Sequence, residues 1–307
     1  MNETVSFAKV AADPRGEIVA LVERRGDRAP YEAVIHVFDA SRSARLASFA
    51  GPKLASLRVA VRGDRVVVGD FSTGTVVGFG LAGEVAWPPI HLPRETLASL
   101  GPGLDVEFIA ARLAEPKGVR RVLGIDPRTG TSTVDHSAVF ANLPFGLGKM
   151  VSCACWAEGV LVVSGWAEDA TAPVGDAERK FNAMFDVAPS PRVPRLFGFV
   201  STGGPTALLW QRDGHVLDLA PFVGGGVMAL LSNEGLDEPA RERTPLLATS
   251  CLVRFDPATG ADLARVDLGA ALANVRDAVF CAGGTRLVAT DGTIRDTTNG
   301  ATVARLG

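Results

Sequence analysis

The sequence predicts an all-β chain, a single domain over residues 1–307 built from about six four-stranded antiparallel units set in a ring. Three observations predict it. A turn with fixed internal offsets recurs along the chain, a Gly-centred hairpin recurs upstream of it, and the two together repeat at a nearly constant spacing.

The turn is seen in Gly124-Ile125-Asp126-Pro127-Arg128-Thr129-Gly130, in Arg254-Phe255-Asp256-Pro257-Ala258-Thr259-Gly260 and in Ile294-Arg295-Asp296-Thr297-Thr298-Asn299-Gly300. In each, Asp opens the turn by accepting nearby backbone amides, and Gly four residues later takes the left-handed conformation that closes a bulged hairpin. Val37-Phe38-Asp39-Ala40-Ser41-Arg42-Ser43 keeps the Asp and has Ser in place of Gly. The upstream hairpins centre on Gly16, Gly63, Gly159, Gly224–Gly226 and Gly283-Gly284. Two hairpins in series make one four-stranded blade of a β-propeller.

The blades read as 5–50, 54–90, 94–136, 147–211, 214–268 and 274–306. Blades 2 and 4 have degenerate outer turns, near Leu81-Ala82-Gly83 and Ser201-Thr202-Gly203, and the first strand of blade 3 is taken from Glu95 to Leu100. Segments 168–195 and 233–245 read as insertions, and without them the repeat is about 44 residues, within the ~40–50 of propeller repeats. Within the first, Ala177, Phe181, Met184 and Phe185 fall at helical spacing, so a short helix is expected in blade 4, ended by Pro189, Pro191 and Pro194. Its stripe of Phe181, Met184 and Phe185 must bury itself on something, and these three are the candidate partner-binding residues.

Composition bounds the function. Apolar residues make up 47% and charged residues 21%, with a net charge of −3, which gives no electrostatic basis for binding nucleic acid or an anionic membrane. No secretory signal is visible at the start and no apolar run is long enough to span a bilayer, so a cytoplasmic location is expected.

The Asp-x-x-Thr-Gly turns of blades 3 and 5 resemble the repeat of quinoprotein-like and WD40-like propellers across nearly the whole chain. No Trp-Asp dipeptide occurs, while Gly214-His215 stands just before the first strand of blade 5, where WD40 repeats carry a Gly-His pair. The docking Trp that quinoprotein repeats place after the turn is absent from that position. The resemblance implies a fold more than an activity.

Residues that might carry chemistry are few. Cys153 and Cys155 share one face of a strand, yet no CxxC or Cys/His partner lies nearby, and Cys is common in ordinary cores. Cys153 and Cys155 are not adjacent, and no cofactor platform is visible, so neither a quinone cofactor nor a tightly bound transition metal is expected. Asn142, Asp218, Asn274 and Asp277 sit where propeller hydrolases and lactonases hold calcium at the channel mouth, although Asp and Asn also serve ordinary turns. His36, His91, His136 and His215 form no catalytic pattern, and no Gly-x-Ser-x-Gly elbow exists. The leading expectation is a non-catalytic scaffold or assembly subunit whose partner is another protein. The alternative is a channel-mouth enzyme or small-molecule binder of the calcium-dependent hydrolase type.

Overall fold

The computed structural model describes the chain apart from residues 1–6, 27–29, 54–56, 71–72, 93–95, 103–108, 115–119, 136–142, 145–150, 170–191, 201–206, 233–249, 274, 276 and 307. Alternating apolar runs pair with their sequence neighbours as four-stranded antiparallel sheets, six among the described residues. Blade 1 comprises β1 (Lys9–Ala12), β2 (Ile18–Arg25), β3 (Glu32–Asp39) and β4 (Ala44–Ala50). Blade 2 comprises β5 (Leu57–Arg62), β6 (Arg65–Asp70), β7 (Thr75–Gly80) and β8 (Val85–His91). Blade 3 follows with β9 (Thr96–Pro102), β10 (Ile109–Ala114), β11 (Arg120–Ile125) and β12 (Ser132–Asp135). Blade 4 has β13 (Val151–Ala157), β14 (Val160–Glu168), β15 (Arg192–Val200) and β16 (Ala207–Asp213). Blade 5 has β17 (His215–Pro221), β18 (Val227–Ser232), β19 (Ser250–Phe255) and β20 (Asp262–Gly269). Blade 6 closes the chain with β21 (Ala278–Cys281), β22 (Arg286–Ala289), β23 (Thr293–Asp296) and β24 (Thr302–Arg305).

The core lies between blades rather than within them, because each sheet is apolar on both faces. Val22, Ile35 and Val37 of blade 1 meet Val61, Val66 and Phe79 of blade 2. Val67, Val76 and Trp87 meet Leu123 and Ile125 across the next interface, and Val122 meets Leu161 and Phe197 across the one after. Val162 and Leu196 pack on Val227 and Phe255, Met228 and Leu252 on Phe280 and Leu287, and Val288 and Ile294 on Leu21 and Phe38. That last contact joins the final blade to the first and closes the ring.

The outer turns adopt the expected geometry. Gly130, Gly260 and Gly300 have φ of 72°, 71° and 73°, and each donates its N–H to the Asp carbonyl four residues earlier at 2.8 Å. Ser43, in the position of the missing Gly, also sits at positive φ, 51°. The blades dock through these turns, and here the structure corrects the sequence reading. A docking Trp is present, carried by the preceding blade. Trp87 of β8 donates Nε1–H to the Pro127 carbonyl at 2.9 Å and lies against Gly130, where an added Cβ would stand 2.6 Å from the ring. Trp210 of β16 repeats the arrangement on Pro257 (2.7 Å) and Gly260. Gly78 and Gly198, the cross-strand partners of the two tryptophans, leave room on the other ring face.

Every outermost strand carries one extra residue just after its turn: Leu46, Ala86, Thr133, Leu209, Leu263 and Val303. A bulge at an edge increases the local twist and spoils the flat ladder onto which another strand would add.

The insertion of 168–195 is shorter than expected. Glu168 ends β14, and Arg192–Arg195 already belong to β15, with Pro194 paired opposite Trp166. The expected helix falls on 170–191, outside the described residues; the described residues contain no helix, and hence none long and apolar enough to cross a membrane. The second insertion, 233–245, also lies outside them.

Docking of Trp210 on Gly260 predicts a contrast between two glycines of similar φ. At Gly159 (φ 78°) nothing lies within 4 Å of an added Cβ, so Gly159→Ala should cost only the ~1–2 kcal/mol of left-handed backbone. Gly260→Ala must also displace the Trp210 ring, and its cost should exceed ~3 kcal/mol in urea melts. Equal losses at the two positions would contradict the docking.

Candidate functional site

The inner strands β1, β5, β9, β13, β17 and β21 surround a cavity of about 340 Å³ along the ring axis. Polar groups reach it from Lys9, Arg58, Ser152, Cys153, Asp218 and Asp277. Regular alternation would show every second residue of an inner strand to the channel. β13 and β17 carry bulges at Ser152 and Leu217, and three successive residues of each line the cavity, as do successive residues of the regular strands β1 and β5.

Two of the four suspected calcium ligands are brought together. Asp218 and Asp277 stand in adjacent blades and feel each other's charge. Asn142 and Asn274 lie outside the described residues. Asp218 Oδ2 accepts the Phe280 N–H at 2.8 Å and so ties β17 to β21. Desolvation dominates its titration and pushes its carboxyl up to about 7, against the pull of the Phe280 and Leu219 amides. Asp277 is likewise raised by desolvation, offset by Lys9, whose Nζ is 3.8 Å from Oδ2. Arg58 is lowered by desolvation. Lys9 and Arg58 bring positive charge into a wall that the sequence reading took for a set of oxygen ligands. Among the described residues no group of three or more His, Cys, Asp and Glu could hold a metal ion.

Three of the four thiols, Cys155, Cys251 and Cys281, are buried, and Cys153 is half-buried at the cavity. Cys155 and Cys251 pack in the core between blades 4 and 5, with Cys153 against the same cluster. Burial pushes the thiol of Cys155 far up and that of Cys281 up to about 12. His36 is buried between Ser48 Oγ (2.8 Å) and Glu23 Oε2 (3.2 Å), and desolvation lowers it. His215 begins β17 itself and stacks obliquely near Trp166. The stripe Phe181, Met184 and Phe185 lies outside the described residues.

A second feature was not legible in the sequence. At the end of the ring carrying the first and third turns of each blade, neighbouring turns are bonded to one another. Gly226 N–H donates to Glu158 Oε1 (2.7 Å), Val223 N–H to the Gly283 carbonyl (2.8 Å), and Gly283 N–H to the Pro14 carbonyl (2.9 Å). Asp13 then takes the Gly63 N–H (2.9 Å) and pairs with Arg62 (3.0 Å), both side chains nearly buried. This belt runs through blades 4, 5, 6, 1 and 2. The same end holds all seven exposed large apolar residues among those described: Leu46, Val85, Leu208, Leu209, Leu263 and Val303 at the starts of outermost strands, and Val223 in a first turn.

No family model matches the chain, and no curated protein matches it in sequence. Similarity appears in structure alone. The chain is similar to Sqt1 from Chaetomium thermophilum, at a TM-score of 0.51 and 15% identity, covering 99% of this chain and 85% of that one. It also matches the β-propeller domain of Myceliophteria thermophila Cps50 (Swd1), at TM-score 0.49, 11% identity and coverages of 92% and 93%. BamB from Moraxella catarrhalis matches at TM-score 0.38 and 16% identity over 97% of this chain and 75% of that one. Identities this low establish the fold, a β-propeller of four-stranded antiparallel blades, and nothing finer.

The raised carboxyl of Asp218 predicts a pH dependence of definite sign. With a folded value of about 7 against an ordinary 3.8, the folded state holds a proton that the unfolded chain releases between these values. Stability therefore falls as pH rises through that window, and Asp218→Asn removes the effect. Between about pH 5 and pH 8 the wild type should lose roughly 1–3 kcal/mol relative to the variant, water in the channel reducing the full shift. An unchanged difference in urea midpoints at the two pH values would contradict the assignment.

Proposed function

We propose that the chain is a protein-interaction scaffold, a cytoplasmic component of a larger assembly, whose main docking face is the end of the ring carrying the belt of bonded turns. The observation that supports this reading is the confinement of all seven exposed large apolar residues, among those described, to that one end. Single exposed apolar residues need no explanation, but their confinement to one end of the ring favours that end as the contact surface. A face fixed by inter-blade hydrogen bonds loses little freedom when a partner docks, which favours affinity.

The connection between β14 and β15 leaves from the opposite end, where Glu168 and Arg192 pair. In the same reading, Phe181, Met184 and Phe185 supply a second partner contact there.

The test is quantitative co-purification from the native cell of the tagged chain beside a Leu209→Ser, Val223→Ser, Leu263→Ser variant. These side chains are about half or more exposed, at 45%, 77% and 51%, so the melting temperature should stay within a few degrees. At least one stoichiometric partner protein should fall tenfold or more in the variant, taking a loss of ~1.4 kcal/mol as tenfold. A partner set identical for both proteins, or no stoichiometric partner of the wild type, would overturn the docking face.

A further inference from the structure

Three side chains of blade 1 form a chain of hydrogen bonds that the docking face does not use. His36 stands directly opposite Ser48 of β4, and Glu23 is its diagonal neighbour on β2. The imidazole meets Ser48 Oγ through Nδ1 (2.8 Å) and Glu23 Oε2 through Nε2 (3.2 Å). Arg25 grips the same carboxylate through Nε (2.9 Å) and Nη2 (3.1 Å), which holds Glu23 below the usual carboxylate range. An ionised carboxylate can only accept, so Nε2 carries the ring proton and Nδ1 is left as the acceptor. The Ser48 hydroxyl must then donate to Nδ1. Burial lowers His36 most, the Glu23 hydrogen bond opposes this, and Arg45 and Arg25 lower it further, so the ring is mostly neutral at neutral pH.

The surroundings complete the arrangement. His36 is buried, edge-on to Phe7, while Ser48 is exposed. The strands of blade 6 have four residues each, against eight in β2 and β3 and seven in β4, so this side of blade 1 outreaches its cover. The bulge at Leu46 adds a cation. Arg45 and Ser48 pair with Phe38 and His36, which share a face of β3, so the extra residue puts Arg45 beside Ser48 instead of across the sheet. Its guanidinium stands 5.5 Å from the Phe38 ring on that same face.

We propose that Ser48 is a nucleophile that takes the acyl group of a small ester, with His36 as its base. As Oγ adds to the ester carbonyl, its proton passes to Nδ1, and Glu23 holds the imidazolium that forms. The carbonyl oxygen becomes an oxyanion on the side of Arg45, whose charge stabilises it. Collapse of this adduct breaks the bond to the leaving alkoxide, which recovers the proton from Nδ1 and departs as an alcohol. Ser48 is left acylated. Water, giving its proton to the same ring, then cleaves the acyl-serine to a carboxylic acid and restores the hydroxyl. Ser48 lies on an open outermost strand, so the acyl group it accepts is short, such as acetyl. The cluster occupies the half of blade 1 away from the belt of bonded turns, and the activity stands or falls separately from the docking face.

The experiment follows p-nitrophenol release from p-nitrophenyl acetate by the full chain, with the acetylated residue located by peptide mass spectrometry after an acid quench. The acetyl group should be found on Ser48. Release should be ~100-fold or more faster than for Ser48→Ala, which retains the background from surface amines, because a positioned base contributes ~10²–10⁴. The rate should rise with pH along one titration centred below the ordinary histidine value and then level off, since only the neutral ring accepts the proton. Glu23→Gln should slow release about tenfold or more by removing the acceptor that fixes the tautomer. Ser48 is exposed, so its variant should keep the fold; if circular dichroism shows Glu23→Gln melting early, Ser48→Ala and the pH profile decide. Equal rates for wild type and Ser48→Ala, acetylation confined to lysines, or a rate still climbing above about pH 8, as attack by amines would give, overturns the proposal.

Discussion

Among the described residues, four blades lean a side chain from the outermost strand onto the turn glycine of the next, and the packing of the ring depends on contacts of this kind. Phe49 lies against Gly83, Trp87 against Gly130, Trp210 against Gly260, and Leu268 against Gly300. A blade alone is a twisted sheet with two apolar faces and cannot bury either. Docking covers one face with the blade before and the other with the blade after, so burial is complete only when the ring is. The tryptophans add a hydrogen bond to a turn carbonyl, which fixes the angle at which one sheet meets the next.

Closure has two consequences for function. The innermost strands present an unpaired edge to the axis, and a few charged groups stand among the apolar residues that line it, the carboxylate of Asp218 accepting the Phe280 amide. The turns at one end are also brought close enough to bond across blades. Of the exposed apolar residues at that end, Val223 belongs to the belt itself through its N–H to the Gly283 carbonyl. One end of the molecule carries the exposed apolar residues, and the axis holds a small chamber in which charged groups stand among apolar ones.

Local features of this architecture were legible in the sequence and distant ones were not. The Asp-led turns could be read because their hydrogen bonds close within five residues, as Asp126 to Gly130 shows. The docking tryptophans were missed because their acceptors lie 40 and 47 residues away, in the next blade. A signal existed all the same, since both Asp-Pro turns follow a Trp by one repeat length. Asp218 and Asp277 could be named as channel residues from their position near innermost strands. Lys9 and Arg58 could not, because a base at the start of a strand looks like ordinary surface until the ring folds it inward. The bulges at Ser152 and Leu217 are visible only in the pairing with β14 and β18. Pro194 misled for a related reason: it ends a helix in sequence logic but is accommodated in β15.

The central claim is that blade docking makes the ring one cooperative unit. Native-state hydrogen exchange of a Trp210→Ala variant tests it most directly. The amides of β2, β6, β18 and β22 should lose protection together and by a similar free energy, although only the interface between blades 4 and 5 is altered. Loss confined to β14, β15, β18 and β19, with full protection retained in blades 1, 2 and 6, would contradict it.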